Sequence, residues 1–206
     1  APDSSVAEWL EFLRTRIEIL NGLSTLQMRE FLLDSSVRVC APDEIVFQRN
    51  SIGSSMFGIA AGSVKVEVNP KNRRETVPIS QGSIFGEVGL ISGRRRGATI
   101  RAAEPTILLE MPRTASLRLM AQNKEARETV NRITTERQVL QIFGSGLTKE
   151  DIAEVLTSAE LIQVRAEEAI INEGEEGYDI FIIRSGSMTI EKEIGGKTVL
   201  DRKSVG

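Results

Sequence analysis

Residues 83–101 read S-I-F-G-E-V-G-L-I-S-G-R-R-R-G-A-T-I-R. Phe85-Gly86-Glu87 comes first and Arg96-Gly97-Ala98-Thr99 follows, with Glu87 and Arg96 nine positions apart. Glycine takes positive φ without penalty, so backbone N–H groups in such a run can turn inward together. A concave row of N–H groups beside an arginine is an anion-binding nest. Arginine holds a phosphate through two parallel charge-assisted hydrogen bonds, which lysine cannot match. An ionised glutamate only accepts hydrogen bonds, so its partner must donate, as a sugar hydroxyl does. A ligand with a phosphate and a free hydroxyl, a nucleotide, satisfies these two side chains together.

On these residues the run resembles the phosphate-binding cassette of the cyclic nucleotide-binding domain family, whose pattern is roughly F-G-E-(L/V)-A-L-(I/L), a few residues, then P-R-(A/T)-A-T. The resemblance implies that Glu87 takes the ribose 2′-hydroxyl and Arg96 the cyclic phosphate. It implies backbone contacts around Gly86, Val88, Gly89, Gly97 and Ala98. Arg95 stands where the family usually has proline, and Gly97 where it has alanine, serine or threonine. Gly97 lacks the hydroxyl that members preferring cGMP often offer to guanine, so the expected ligand is cAMP rather than cGMP. A looser loop also costs more entropy to order.

The rest of the chain supplies a frame for that run. Ser5-Val6-Ala7-Glu8 reads as a capping box opening a helix. Val6, Trp9, Leu10, Leu13, Ile17 and Leu20 recur at helical spacing until Asn21-Gly22. Trp9 reads as a core or docking residue on that stripe. Leu23-Ser24 opens a second helix to about Leu33. The period then changes. Short apolar runs at 37–40, 44–47, 55–60, 63–68 and 75–79 alternate with turn signals at Pro42-Asp43, Gly53, Gly62 and Pro70. Thr99 to Arg101 and Thr106 to Met111 close the series. The expected fold is mainly β with helices: a jelly-roll (double-stranded β-helix) barrel with helices at either end. Helices follow at Thr114 to Met120 and Lys124 to Phe143, and Gly144-Ser145-Gly146 reads as a hinge.

Beyond the hinge the sequence repeats. Leu147 laid on Leu23 gives a constant offset of 124. Glu30 falls on Glu154, Glu44 on Glu168, Gly53 on Gly177, Phe57 on Phe181, Gly62 on Gly186 and Glu67 on Glu191. The stretch from Gly174 to Ile190 is close to the family's usual strand pair. Gly206 aligns with Gly82, just before a second cassette would begin, which leaves strands without partners. The expectation is that the natural protein continues, or that another chain completes the sheet. The organisation read from the sequence is an N-terminal helix (1–22), one nucleotide-binding domain with its C-terminal helices (23–143) and a partial second copy (144–206). The tandem is similar to the protein kinase A regulatory subunit, without that protein's substrate-like inhibitory segment before the first domain.

Composition narrows the function. The chain has 206 residues, 40% hydrophobic and 27% charged, an ordinary globular balance. No run approaches the length of a membrane span. Its first residue is Ala, which reads as a processed or partial chain. One cysteine, Cys40, fits a reducing compartment and a cytoplasmic location, and reads as packed core. The chain has no histidine, which removes the commonest metal ligand and general base. No serine or cysteine has a base beside it, so the expectation is not an enzyme. A net charge of −3 argues against a general nucleic-acid binder. Arg94 and Arg95 read as outward-facing charges, and Arg73-Arg74-Glu75-Thr76 as a polar hairpin turn rather than a kinase site. The expected role is a regulatory module that binds a cyclic nucleotide and re-sets its helices against an effector, or against a second copy through those helices. Leu90 or Ile91 would shift, and Arg132 or Arg137 could stack on the base. The alternative is a degenerate domain that binds no nucleotide and docks a partner, with Arg96 salt-bridged to a protein carboxylate.

Overall fold

The structure, a computed structural model, describes residues 2–143, 146–194 and 197–204. Gly144 and Ser145 of the expected hinge, and Gly206, lie outside the described residues. The chain divides into two compact units, 1–147 and 148–206.

Two four-stranded antiparallel sheets build the first unit, as the jelly roll requires. One holds β1 (Ser36–Cys40), β8 (Thr106–Met111), β3 (Met56–Ala61) and β6 (Ile84–Phe85), in that order. The other holds β2 (Ile45–Phe47), β7 (Thr99–Ala102), β4 (Ser63–Asn69) and β5 (Asn72–Ser80). Strand β3 is apolar throughout rather than alternating, because it is covered on two sides. Met56 and Ala60 face the helices, while Phe57 and Ile59 face the sandwich interior with Val64, Phe85, Ile100 and Leu108. A strand buried on two faces needs apolar residues at every position. Gly58 is the exception, and its reason is steric: a Cβ there would lie 2.9 Å from the Ile17 side chain. Cys40 is buried in the sandwich interior, and that burial pushes its thiol pKa up. Arg73 to Thr76 lie within β5 rather than in the turn before it.

The helices cover the first sheet. Helix α1 (Pro2–Arg16) ends earlier than its apolar stripe. Ile17 is extended, and the Glu18 N–H donates to Gly82 O at 3.0 Å instead of continuing the helix. A 3-10 turn over Glu18–Leu20 then carries Ile19 and Leu20 into the core. Trp9 is 46% exposed and stacks edge-on against Phe12, so it is not a core residue. Helix α2 (Thr25–Leu33) starts at Ser24, whose hydroxyl and Gln27 cap it reciprocally. Helix α3 (Glu87–Ser92) lies inside the cassette, where the sequence reads as loop. Its ends are Gly86 and Gly93, both left-handed, which sets two sharp boundaries around a short helix. Helices α4 (Arg113–Gln122) and α5 (Lys124–Phe143) follow β8. Ala126, Val130 and Ile133 of α5 join Leu13, Leu20 and Leu90 in one apolar cluster. Burying each of the valine, leucine and isoleucine side chains contributes roughly 1.5–3 kcal/mol.

The second unit repeats the first locally. Helix α6 (Lys149–Ser158) is capped by Thr148 and Asp151, which sit 124 residues after Ser24 and Gln27. The hairpin of β9 (Ser187–Ile194) and β10 (Lys197–Ser204) pairs Ser187 with Ser204, the register of Ser63 with Ser80. Left-handed Glu167, Gly174 and Gly186 fall at the same offset from left-handed Asp43, Asn50 and Gly62. Glu168 accepts from the Arg165 N–H as Glu44 does from Ala41. Residues 174–186 form no strand, unlike their counterparts in β3. The reason is topological. Strand β3 pairs with β6 and β8, late elements with no equivalent within these 206 residues, whereas β4 pairs with its neighbour β5.

Candidate functional site

The cassette brings Arg96 and Glu87 into the protein. Arg96 is 4% exposed. Its backbone is clamped by the loop between β2 and β3: Asn50 N–H donates to Arg96 O at 2.7 Å and Arg96 N–H to Ser51 O at 3.0 Å. Its guanidinium donates through Nη1 to Gly86 O at 3.0 Å and through Nη2 to Ser55 O at 2.7 Å. The plane lies over the Phe47 ring, 4.2 Å from its centroid. Phe47 belongs to an aromatic group with Phe57 and Phe85, the last two stacked at 5.1 Å. Burial pulls the Arg96 pKa below its ordinary value, while the carboxylates of Glu110 and Glu87 pull it back up. Three glycines make room for this side chain. A Cβ on Gly86 would come within 2.8 Å of Nη1, one on Gly89 within 3.3 Å, and one on Gly53 within 3.4 Å of Nε.

Glu87 opens helix α3 and is 1% exposed. A carboxylate there meets the positive end of a helix, and the first-turn N–H groups, including those of Val88 and Gly89, have no partner within the helix. Arg137, reaching over from α5, lies with Nη1 2.8 Å from Glu87 Oε1 and donates through Nη2 to Ile84 O at 2.8 Å. The contact with Oε1 is one of charges and lacks hydrogen-bond alignment, so Oε1 stays without a donor. Nε of Arg96 is likewise buried and without an acceptor. The two side chains singled out in the sequence thus carry buried polar atoms of opposite kinds, one needing a donor and one an acceptor. A donor such as a hydroxyl would satisfy the first, and an acceptor such as a phosphate oxygen the second.

The remaining candidates fall into place around this pair. Gly97 is exposed and nothing lies within 4 Å of a Cβ placed on it. Ala98 is half-buried just ahead of β7. Arg94 and Arg95 point outward, and Arg95 donates to Asn50 O at 2.9 Å. Arg132 pairs with Glu18 at 2.9 Å. Arg137 is engaged with the cassette rather than held ready to stack on a base. Arg96 meets backbone carbonyls, and among the described residues it forms no ion pair with the protein carboxylate that a degenerate domain was expected to show. Sequence reasoning missed Ser55, Gly53 and Phe47 as supports of Arg96, and Arg137 as the partner of Glu87. It also missed Arg113, whose Nη1 donates to Leu90 O and ties α4 to α3.

The Arg137 contact has a measurable consequence. Arg137→Gln is expected to destabilise the first unit by about 1–3 kcal/mol, since it leaves a buried carboxylate without a counter-charge. In the double variant with Glu87→Gln the losses are expected to be non-additive, with a coupling of about 1 kcal/mol by urea denaturation. Additive losses would mean that the pair does no structural work.

Comparison with known proteins agrees with this architecture. Residues 37–123 match the family described as Cyclic nucleotide-binding domain. The cAMP-dependent protein kinase regulatory subunit of Yarrowia lipolytica is 24% identical over 197 residues, covering 94% of this chain and 51% of that protein. A putative potassium channel protein of Rhodopseudomonas palustris is 25% identical over 122 residues, covering 59% of this chain and 30% of that protein. The chain therefore spans about half or less of the curated relatives it matches. Among solved structures, PKAR CBD2 bound to Sp-2Cl-cAMPS aligns with a TM-score of 0.53 at 18% identity, over 71% of this chain and 94% of that one. The sensor domain of the transcriptional regulator DNR from Pseudomonas aeruginosa aligns at 0.52 and 18%, over 69% and 97%. These two likenesses concern the fold. No helix among the described residues is long and apolar enough to cross a membrane. The match to the cyclic nucleotide-binding domain family thus falls on residues 37–123 of the first unit, the part that holds the cassette and the two-sheet barrel.

Proposed function

We propose that the first unit binds one cyclic purine nucleotide, cAMP in preference to cGMP, and reports it through α5. The observation that carries this reading is the pair of unsatisfied buried atoms, Glu87 Oε1 and Arg96 Nε. The ribose 2′-hydroxyl donates to the first and a phosphate oxygen accepts from the second. Backbone groups around Gly86, Val88, Gly89, Gly97 and Ala98 line the phosphate. The same geometry supplies a route outward. Arg137 and the ribose share one carboxylate, so nucleotide binding changes what holds α5 against the cassette. Leu90 lies in the helical cluster, and its carbonyl is held by Arg113, so movement of α3 reaches α4 as well. The nucleotide drives such a change only by its difference in affinity for the two arrangements. The module is regulatory and cytoplasmic in this reading, and its effector lies on the α5 side.

Isothermal titration of the chain with cAMP and cGMP tests the proposal. The expected result is binding of cAMP, with cGMP weaker by about threefold to tenfold, the worth of one neutral hydrogen bond. Gly97 has open space around it, so Gly97→Thr is expected to recover most of that difference for cGMP. Hydrogen exchange in α5 should change when cAMP is added. No binding of either nucleotide overturns the proposal and selects the second reading, a docking domain, which the existing Glu87–Arg137 contact favours.

A further inference from the structure

We propose that the cassette end of the β5-β4-β7-β2 sheet is a docking surface for an anionic lipid bilayer. This inference stands apart from the nucleotide reading, because it uses none of the site residues. The sheet register gathers the surface. Thr99 opens β7 opposite Glu67, so residues 94–98 enter the sheet at the end toward which Val68 and Asn69 of β4 run. Asn69 pairs with Asn72 across the hairpin turn, placing Lys71, Arg73 and Arg74 at the same end. Arg49 follows β2 there, and its Nη2 donates to Glu67 O and Val68 O, each at 3.2 Å. Arg94 and Arg95 complete the group from the cassette side.

Charge at this end is unlike the rest of the chain. The whole protein carries a net charge of −3, yet residues 48–53, 68–75 and 93–97 hold Glu75 as their single carboxylate. Glu75 accepts from Asn69 Nδ2 at 2.9 Å. None of the cations named forms an ion pair among the described residues. Arg49 and Arg95 are instead oriented by main-chain carbonyls, which fixes their direction and leaves their charge uncompensated. On the β2–β3 loop, two residues after Asn50, whose carbonyl accepts from Arg95, Ile52 stands 84% exposed, and Val68 is 43% exposed. An exposed large aliphatic side chain on the same loop system as uncompensated arginines matches a lipid interface, where the cations meet headgroup phosphates and the apolar group enters the acyl boundary. A single-stranded nucleic acid would call for exposed aromatic rings to stack on, and these segments contain none.

Vesicle co-sedimentation of the 206-residue chain tests the surface, using phosphatidylcholine alone and phosphatidylcholine with about one third phosphatidylserine. The expected result is partition onto the mixed vesicles at least about tenfold above the neutral ones, weakening as salt rises. Arg73→Gln with Arg74→Gln is expected to weaken it roughly 20- to 30-fold, about one decade and a half for two basic groups near the surface. Ile52→Ser is expected to weaken it about tenfold. Equal partition onto the two kinds of vesicle, or no dependence on salt, overturns the proposal without any variant. Loss with the arginine variant, no loss with Ile52→Ser and tighter binding of a single-stranded DNA oligonucleotide would assign the surface to nucleic acid and also overturn it.

Discussion

Arg96→Ala is expected to weaken cyclic nucleotide binding by about two to three decades, as truncating a buried charged partner costs roughly 2–5 kcal/mol. The loss should be visible without a direct titration. A ligand at about 100 times its Kd stabilises the folded form by about 2.7 kcal/mol, which for a unit of this size raises Tm by roughly 5–10 °C. In the variant the same nucleotide concentration should raise Tm by about 1 °C or less. Unliganded stability is expected to move little, because two effects oppose each other. Removing the guanidinium strips Gly86 O and Ser55 O of their donors. It also removes a buried cation whose Nε has no acceptor. Each effect is on the order of 1–3 kcal/mol. Arg96→Lys keeps the charge but not the planar fork, nor the stacking on Phe47, and is expected to fall between wild type and alanine. A nucleotide-induced Tm shift that survives Arg96→Ala would remove Arg96 from the phosphate role.

Some of this site is legible in the sequence and some is not, for identifiable reasons. Strand β8 and helix α5 are readable because each carries one unbroken period between clear punctuation: Pro112 after the strand, Asn123 before the helix. Helix α3 is not readable, since six residues bounded and interrupted by glycine carry too little periodicity to separate a helix from a loop. The end of α1 is misread because its stripe runs on through Leu20, while a hydrogen bond from Glu18 to distant Gly82 decides the break. Glu87 and Arg96 stand out as candidates in the sequence because their spacing belongs to one short motif, and the structure buries both. Arg137 is not assigned to Glu87, because that contact spans 50 positions and α5 offers several arginines. Gly53 looks like a turn residue, and its place beside Arg96 Nε appears only once the β2–β3 loop folds over the cassette.

Gly62→Ala is expected to destabilise the first unit by about 3–5 kcal/mol, whereas Gly186→Ala is expected to cost the second unit only about 1 kcal/mol. These glycines occupy equivalent places in the repeat and share nearly the same torsion, φ 80° and 89°. Left-handed backbone alone therefore penalises alanine equally at the two sites. Their surroundings differ. A Cβ on Gly62 would lie 2.5 Å from Pro105 O, 2.7 Å from Thr106 Oγ1 and 3.0 Å from Thr106 Cα, while nothing lies within 4 Å at Gly186. Pro105 and Thr106 cannot withdraw easily. Thr106 begins β8, pairs with Cys40 and donates through its hydroxyl to Ser63 O at 2.9 Å. The two units can be followed separately. The single tryptophan, Trp9, lies in α1 and reports the first unit by fluorescence, and hydrogen exchange of the β9–β10 amides reports the second. Since the torsional cost is common to the two positions, the excess at Gly62 measures how tightly the β3–β4 turn is closed by the chain entering β8. Equal losses at Gly62 and Gly186 would mean that this closure contributes nothing, and that the repeat is fixed by local backbone preference alone.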